Sequence, residues 1–238
     1  MNEEIQAIYD MLWNTSFEAV SHGEVDIDPY IAVPESDKRR GLTLRFRPST
    51  KVMRSILSFL DEMRIIEPDQ YFYTPDNLHF TVLSLFTAIP DCQKEFDRLP
   101  AYEAVVRDAL RDSPAFSLDL RGITVSRGAV MVCGFPQSGT LSNIRGRLRA
   151  NLINAGLSEG LDVRYTLTAA HTTVMRFSSP LRDGASLSDF LRINKRRDFG
   201  RLDVDVLELT RNDWYMSQQH TQILKSYRLP FSAGSNEE

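Results

Sequence analysis

Two stretches decide how this chain is read: Leu78-His79-Phe80-Thr81-Val82-Leu83-Ser84-Leu85-Phe86 and Ala170-His171-Thr172-Thr173-Val174-Met175-Arg176-Phe177. Both are short, rich in β-branched and apolar residues, and predict strands. Each carries the same internal pattern, His-x-Thr-hydrophobic: His79-Phe80-Thr81-Val82 and His171-Thr172-Thr173-Val174. Successive side chains of a strand point to opposite faces, so His79 and Thr81 share one face, and His171 and Thr173 share another. The chain has only four histidines, and two of them fall in this pattern. His22 lies in a polar connection and His220 precedes Thr221-Gln222, so neither repeats it.

Outward from these strands, Leu42 to Arg47 alternates, with Leu42, Leu44 and Phe46 on one face and Thr43, Arg45 and Arg47 on the other. Pro48 ends that strand and Ser49 is placed to cap a helix whose apolar stripe is Val52, Ile56, Phe59, Leu60 and Met63. Tyr71-Phe72-Tyr73 reads as a short strand stopped by Pro75. Residues 93 to 111 read as a helix broken or delayed by Pro100. Strands follow at 116–125 and 129–135, joined by a turn at Arg127-Gly128. A helix from Leu141 to Ala155 ends at Gly156, and a short one spans Leu187 to Ile193. Arg201 to Thr210 alternates as one strand, with Leu202, Val204, Val206 and Leu209 inward, and Gln222 to Leu229 is the last strand. Strand pairs adjacent in sequence favour an α+β fold with antiparallel pairing over a doubly wound parallel sheet.

Before all of this, Ile5, Ile8, Leu12, Trp13, Phe17 and Val20 recur at helical spacing over residues 3 to 21. Ser21 to Arg40, with two prolines, one glycine and many charges, reads as a long connection. Residues 1–40 are thus expected to be an N-terminal helical extension. It would brace a lobe, cover a cleft or mediate dimerisation; the residues do not choose, and the oligomeric state is not fixed by them. Residues 41–230 form the main body, and the small, polar tail at 231–238 is expected to be disordered.

The 238 residues are 42% hydrophobic and 25% charged, with a formal net charge of −4. That composition builds an ordinary globular core and argues against a surface made for long nucleic acid. Cys92 and Cys133 have no Cys or His neighbour at zinc-ligand spacing, and the expectation is two thiols in a reducing compartment. The first residues are acidic where a signal peptide carries positive charge, and no apolar run approaches a membrane span. The expected setting is the cytoplasm, with no membrane partner. No glycine-rich phosphate loop is present, and neither a metal nor a cofactor is expected.

The paired motifs suit phosphodiester chemistry. Cleaving a phosphodiester needs a base for the attacking oxygen and an acid for the leaving oxygen, on opposite sides of phosphorus. Imidazole serves both roles near neutral pH. A threonine hydroxyl two residues away can bond the non-bridging oxygens, where negative charge accumulates. His79, Thr81, His171 and Thr173 are therefore the candidate catalytic residues.

The pair of motifs resembles the two-histidine phosphoesterase superfamily, and within it the 2′-5′ RNA ligase-like and cyclic phosphodiesterase proteins. The resemblance covers roughly Gly41 to Leu229 and includes the approach Pro75-Asp76-Asn77-Leu78-His79 and the closing strands after Val204. It implies two lobes related by a pseudo-twofold axis, each an antiparallel sheet with flanking helices, and a cleft receiving one His-x-Thr from each. It also implies metal-independent action on 2′,3′-cyclic phosphates or 2′-5′ linkages of RNA ends or small nucleotides. The family often carries an arginine five residues after the second histidine. That position is Arg176, a phosphate-binding candidate, although strict alternation would turn it away from His171 unless the strand ends or bulges.

For the nucleobase, Tyr73, Phe46 and Tyr227 are the stacking candidates. The basic clusters Lys38-Arg39-Arg40, Arg145/Arg147/Arg149 and Lys195-Arg196-Arg197 are further places where phosphate could be met. A 3′-end RNA exonuclease using the same histidines, and a nucleotide- or RNA-end-binding protein without turnover, are the alternatives.

Overall fold

Each motif stretch becomes a strand, and the two strands lie in different sheets of the computed structural model, which describes residues 2–163 and 165–231. In chain order the elements are α1 (Asn2–Ser21), β1 (Arg40–Phe46), α2 (Thr50–Ile66), β2 (Tyr71–Phe72), β3 (Phe80–Ile89), α3 (Gln93–Phe96), α4 (Leu99–Leu110), β4 (Phe116–Ser126), β5 (Ala129–Pro136), α5 (Thr140–Asn154), β6 (Ala170–Arg176), α6 (Gly184–Asn194), β7 (Asp198–Val204), β8 (Val206–Asn212) and β9 (Gln222–Arg228). The first sheet has the order β3-β1-β8-β9 and the second β2-β6-β5-β4-β7. Every pairing is antiparallel. The fold is α+β in two lobes, as the motifs and their neighbours imply. The polar tail at 232–238 lies outside the described residues.

The helices are exchanged between the lobes. α2 follows β1 of the first sheet but packs on β6 and β7 of the second. α5 follows β5 of the second sheet but packs on β3 of the first, beside α4. This reciprocal crossing is the pseudo-twofold relation in packing terms. It explains why one apolar core runs through both lobes. Ser49 caps α2, accepting from the Val52 amide at 3.4 Å, and the expected stripe of Val52, Ile56, Phe59, Leu60 and Met63 is fully buried.

One sequence expectation needs correction. The apolar alternation across 201–210 is not one strand. It breaks at Asp205 into β7 in the second sheet and β8 in the first, so the chain changes lobes there. Leu202 and Val204 are buried on one side of the break, and Leu207 and Leu209 on the other, while Val206 is only partly buried. Two strands of opposite parity read as one in the sequence. The alternation of β1 holds, and both of its faces are buried, with Thr43 and Arg45 3% and 2% exposed. It is a central strand, between β3 and β8, and its Thr43 lines the cleft. Pro100 delays the helix expected over 93–111, as the sequence implies. It lies in the first turn of α4, where its missing N–H costs nothing, and α3 is a separate turn before it.

Of the roles left open for the N-terminal helix, the packing supplies a brace. α1 lies across β4 and β5 and against α6. Tyr9 Oη accepts from the Gly134 amide at 3.2 Å and donates to the Ala170 carbonyl at 2.8 Å, while Thr124 Oγ1 donates to the Tyr9 carbonyl. Position 134 must be glycine for this approach, because a Cβ there would stand 2.4 Å from the Ala170 oxygen. The helix is thereby fastened to the residue directly before His171.

Candidate active site

One cleft between the two sheets is lined by His79, Thr81, His171, Thr173, Arg176 and Tyr73. The burial of each motif alternates as a strand requires. His79 and Thr81 are partly exposed while Phe80 and Val82 are buried, and the same holds for His171 and Thr173 against Thr172 and Val174. β3 begins at Phe80, so Leu78 and His79 lie just before the strand rather than within it.

A turn at Thr74-Pro75-Asp76-Asn77 aims the first histidine. The Asn77 side-chain oxygen accepts from the Thr74 amide at 2.7 Å, its amide nitrogen donates to Tyr71 Oη at 2.9 Å, and Arg47 holds the carbonyls of Pro75 and Asp76. So fixed, the Asn77 carbonyl accepts from His79 Nδ1 at 2.7 Å. A nitrogen facing a carbonyl must carry the proton. The neutral imidazole is therefore held with its Nε2 lone pair available to the cleft. His171 stands opposite Cys133 on β5, and its Nδ1 has no hydrogen-bond partner among the described residues. Sequence reasoning did not single out Asn77, although it stood in the approach to His79.

Arg176 reaches the cleft through a bulge. Met131 pairs with Thr173, but Val130 pairs with Met175, which leaves Val174 as an extra residue on β6. Val174 and Met175 are consequently both fully buried, the parity of the strand changes, and Arg176 returns to the face of His171. The Tyr73 amide donates to the Val174 carbonyl at 3.0 Å and steadies the bulge. Arg176 Nε in turn donates to Tyr73 Oη at 3.0 Å.

The other aromatic candidates are placed elsewhere. Phe46 is 1% exposed, stacked on Phe80 and edge-on to Phe116 in the core. Tyr227 packs against the core from β9 and does not line the cleft. Besides Tyr73, the aromatic rings on the cleft walls are Trp214, in the segment after β8, and Tyr165, in the segment before β6. They sit in loops, where no periodicity marks them. The basic clusters do not line the cleft either. Arg39 pairs with Asp37, Arg149 with Asp162 and Arg197 with Glu62, Arg147 bonds the Arg111 carbonyl and Ser113, and Lys195 lies over the Trp13 ring. Arg145 is buried. Among the described residues no group of three or more His, Cys, Asp or Glu is placed to hold a metal, and no helix is long and apolar enough to cross a membrane.

Electrostatics at the cleft disfavour the imidazolium form. Burial pushes His79 down to about 3, with Arg45, Arg176 and His171 adding to the shift against the Asn77 carbonyl. Burial pushes His171 down to about 4, with Arg145 and Arg176 adding to it. Both imidazoles are neutral at pH 7 when the cleft is empty. A group whose pKa is lowered by folding contributes stability that is full above its unfolded value of ~6.5. That contribution is lost as the pH falls towards 4 and then 3. An anion bound between the imidazoles would offset the penalty, so that they take up protons on binding. Sulfate, which does not titrate in this range, is therefore expected to raise the melting temperature more at pH 5 than at pH 7.5, and to bind with proton uptake by calorimetry. Equal stabilisation at both pH values would show that the imidazoles do not face the anion.

No family model matches the sequence, and no curated protein matches it. The likeness appears in the fold. The chain superposes on the crystal structure of TT0787 from Thermus thermophilus with a TM-score of 0.59 and 17% identity, covering 82% of this chain and 99% of that one. It superposes on E. coli LigT complexed with NADP+ with a TM-score of 0.51 and 17% identity, covering 81% and 99%. A structure described as a phosphoesterase gives 0.52 and 18%, with the same coverage. The chain therefore has the two-lobed fold of LigT, of TT0787 and of the structure described as a phosphoesterase, and it spans nearly the whole length of each.

Proposed function

We propose that this protein is a two-histidine phosphoesterase that acts without a metal on RNA ends or small nucleotides, opening 2′,3′-cyclic phosphates or making or breaking 2′-5′ linkages. The observation that carries this reading is the convergence of His79, Thr81, His171, Thr173 and Arg176 on one cleft from two lobes. An acid and a base on opposite walls are what in-line displacement at phosphorus requires. The fold shared with E. coli LigT, whose crystals include complexes with ATP and 3′-AMP, supports a nucleotide-sized ligand.

In hydrolysis of a cyclic phosphate, His79 serves as base, because its Nδ1 proton is held on the Asn77 carbonyl and its Nε2 can accept. Water loses a proton to Nε2 as its oxygen bonds to phosphorus. His171, protonated once the anion is bound, gives its proton to the ribose oxygen as the P–O bond breaks. The product is a phosphomonoester, and proton exchange with solvent restores both imidazoles. Thr81, Thr173 and Arg176 bond the non-bridging oxygens as charge builds there. The work is done in the cytoplasm, where Cys92 and Cys133, both buried and unpaired with each other, stay reduced.

The test is incubation with 2′,3′-cyclic nucleotides and with an RNA bearing a 2′,3′-cyclic end, in the presence of EDTA. Monoester product formed equally with and without chelator is expected. Activity abolished by EDTA would remove the metal-independent mechanism. Progressive shortening of the RNA would replace the substrate assignment with exonuclease action, and tight nucleotide binding without product would replace catalysis with binding.

A further inference from the structure

Arg145 is the one member of its basic cluster turned inward. Its side chain rises from α5, is 3% exposed, and meets backbone from both lobes. Nε donates to the Val82 carbonyl at 2.7 Å and Nη2 to the Thr81 carbonyl at 3.0 Å. Nη1 donates to the Thr168 carbonyl at 2.7 Å, and Nη2 also to the Ala169 carbonyl at 3.1 Å. Thr81 and Val82 belong to the first motif. Thr168 and Ala169 are the approach to His171. We propose that Arg145 is a positioning residue that sets the separation of the two His-x-Thr pairs by holding both motif strands on a single guanidinium.

The planar fork explains the choice of residue. Four hydrogen bonds to carbonyls from two separate segments need donors spread in one plane, which a lysine ammonium does not provide. The carbonyl dipoles also keep a buried positive charge tolerable. That charge lies behind His171, which also faces Arg176 on its own strand, Cys133 on β5, His79 across the cleft and, through Ala170, Tyr9 of α1. Arg145 therefore acts on the site twice, through spacing and through its field on the His171 imidazole.

The inference rests on the two-histidine reading, so its test has a readout independent of turnover. Arg145→Met and Arg145→Lys are compared with Arg147→Met, a change on the same helix that touches neither motif. With a 2′,3′-cyclic nucleotide, kcat per folded molecule is expected to fall about 10²-fold in Arg145→Met, with a much smaller change in KM. By NMR, the His171 Hε1 titration of the free protein is expected to move to higher pH in Arg145→Met and to stay in place in Arg145→Lys, which keeps the charge. Arg145→Lys is still expected to lose roughly tenfold in kcat, because it cannot span the four carbonyls. Arg147→Met is expected to change stability alone. Unchanged kcat per folded molecule in Arg145→Lys, or an unmoved His171 titration in Arg145→Met, would reduce Arg145 to a packing role. If Arg145→Met does not fold, the kcat of Arg145→Lys decides. If the wild type turns over no phosphodiester, the functional reading fails, and the His171 titration still tests the placement of Arg145.

Discussion

Alanine at His79 or at His171 is expected to lower kcat on a 2′,3′-cyclic nucleotide by about 10²–10⁴-fold, the range for loss of a general acid or base. KM should change little, since the proposed phosphate contacts of Thr81, Thr173 and Arg176 remain. The double variant should lose far less than the product of the two single losses, because acid and base act on one transition state. Folding at neutral pH is not expected to suffer badly, as both rings are only partly buried at the cleft surface. Below pH 6 the variants should be relatively more stable than the wild type, having lost groups that resist protonation in the folded state. The measurement is initial rate with EDTA alongside thermal melts at pH 5 and 7.5. Wild-type turnover in either single variant would remove that histidine from the mechanism and leave the cleft as a binding site.

Arg176→Ala is expected to reduce kcat/KM by about 10²–10³-fold, the cost of losing a preorganised donor to the transferring phosphoryl group. Arg176 is held by Nε donation to Tyr73 Oη, so the rest of its fork is presented from a fixed origin. Arg176→Lys should recover only part of the loss, because a lysine replaces a planar fork with a point charge. Tyr73→Phe should fall between the wild type and Arg176→Ala, since it frees the guanidinium without removing it. Steady-state kinetics of the three variants on one cyclic nucleotide checks the order. An Arg176→Ala protein with wild-type kcat/KM would mean that the bulge at Val174 delivers the arginine to the cleft for the sake of packing alone.

The fold was legible where the sequence pattern is local. The α2 stripe from Val52 to Met63, the alternation through His79–Val82 and the Ser49 cap all depend on neighbours within a turn or a few strand residues, and all were found where the pattern put them. The alternation from Arg201 to Thr210 misled for the same reason. A period of two continues across Asp205 to the eye, while the chain itself passes from one sheet to the other. The aromatic candidates divided along this line as well. Phe46 shares a face of β1 with Leu42 and Leu44, as its own alternation said, and that face lies in the core. Trp214 and Tyr165 sit in segments with no period to read.

What the sequence determined by itself was the pair of His-x-Thr faces, because the shared face of residues i and i+2 is a property of any strand. Tertiary structure decided how those faces become a site. The orientation of Arg176 depends on Val174 being the extra residue opposite β5, which is a fact about the partner strand. The proton on His79 Nδ1 depends on the aim of the Asn77 carbonyl. The four carbonyls around Arg145 come from two segments that are distant in the chain and adjacent only when the lobes close. Each of these is a contact between parts whose meeting is set by packing, and no period within either part encodes it.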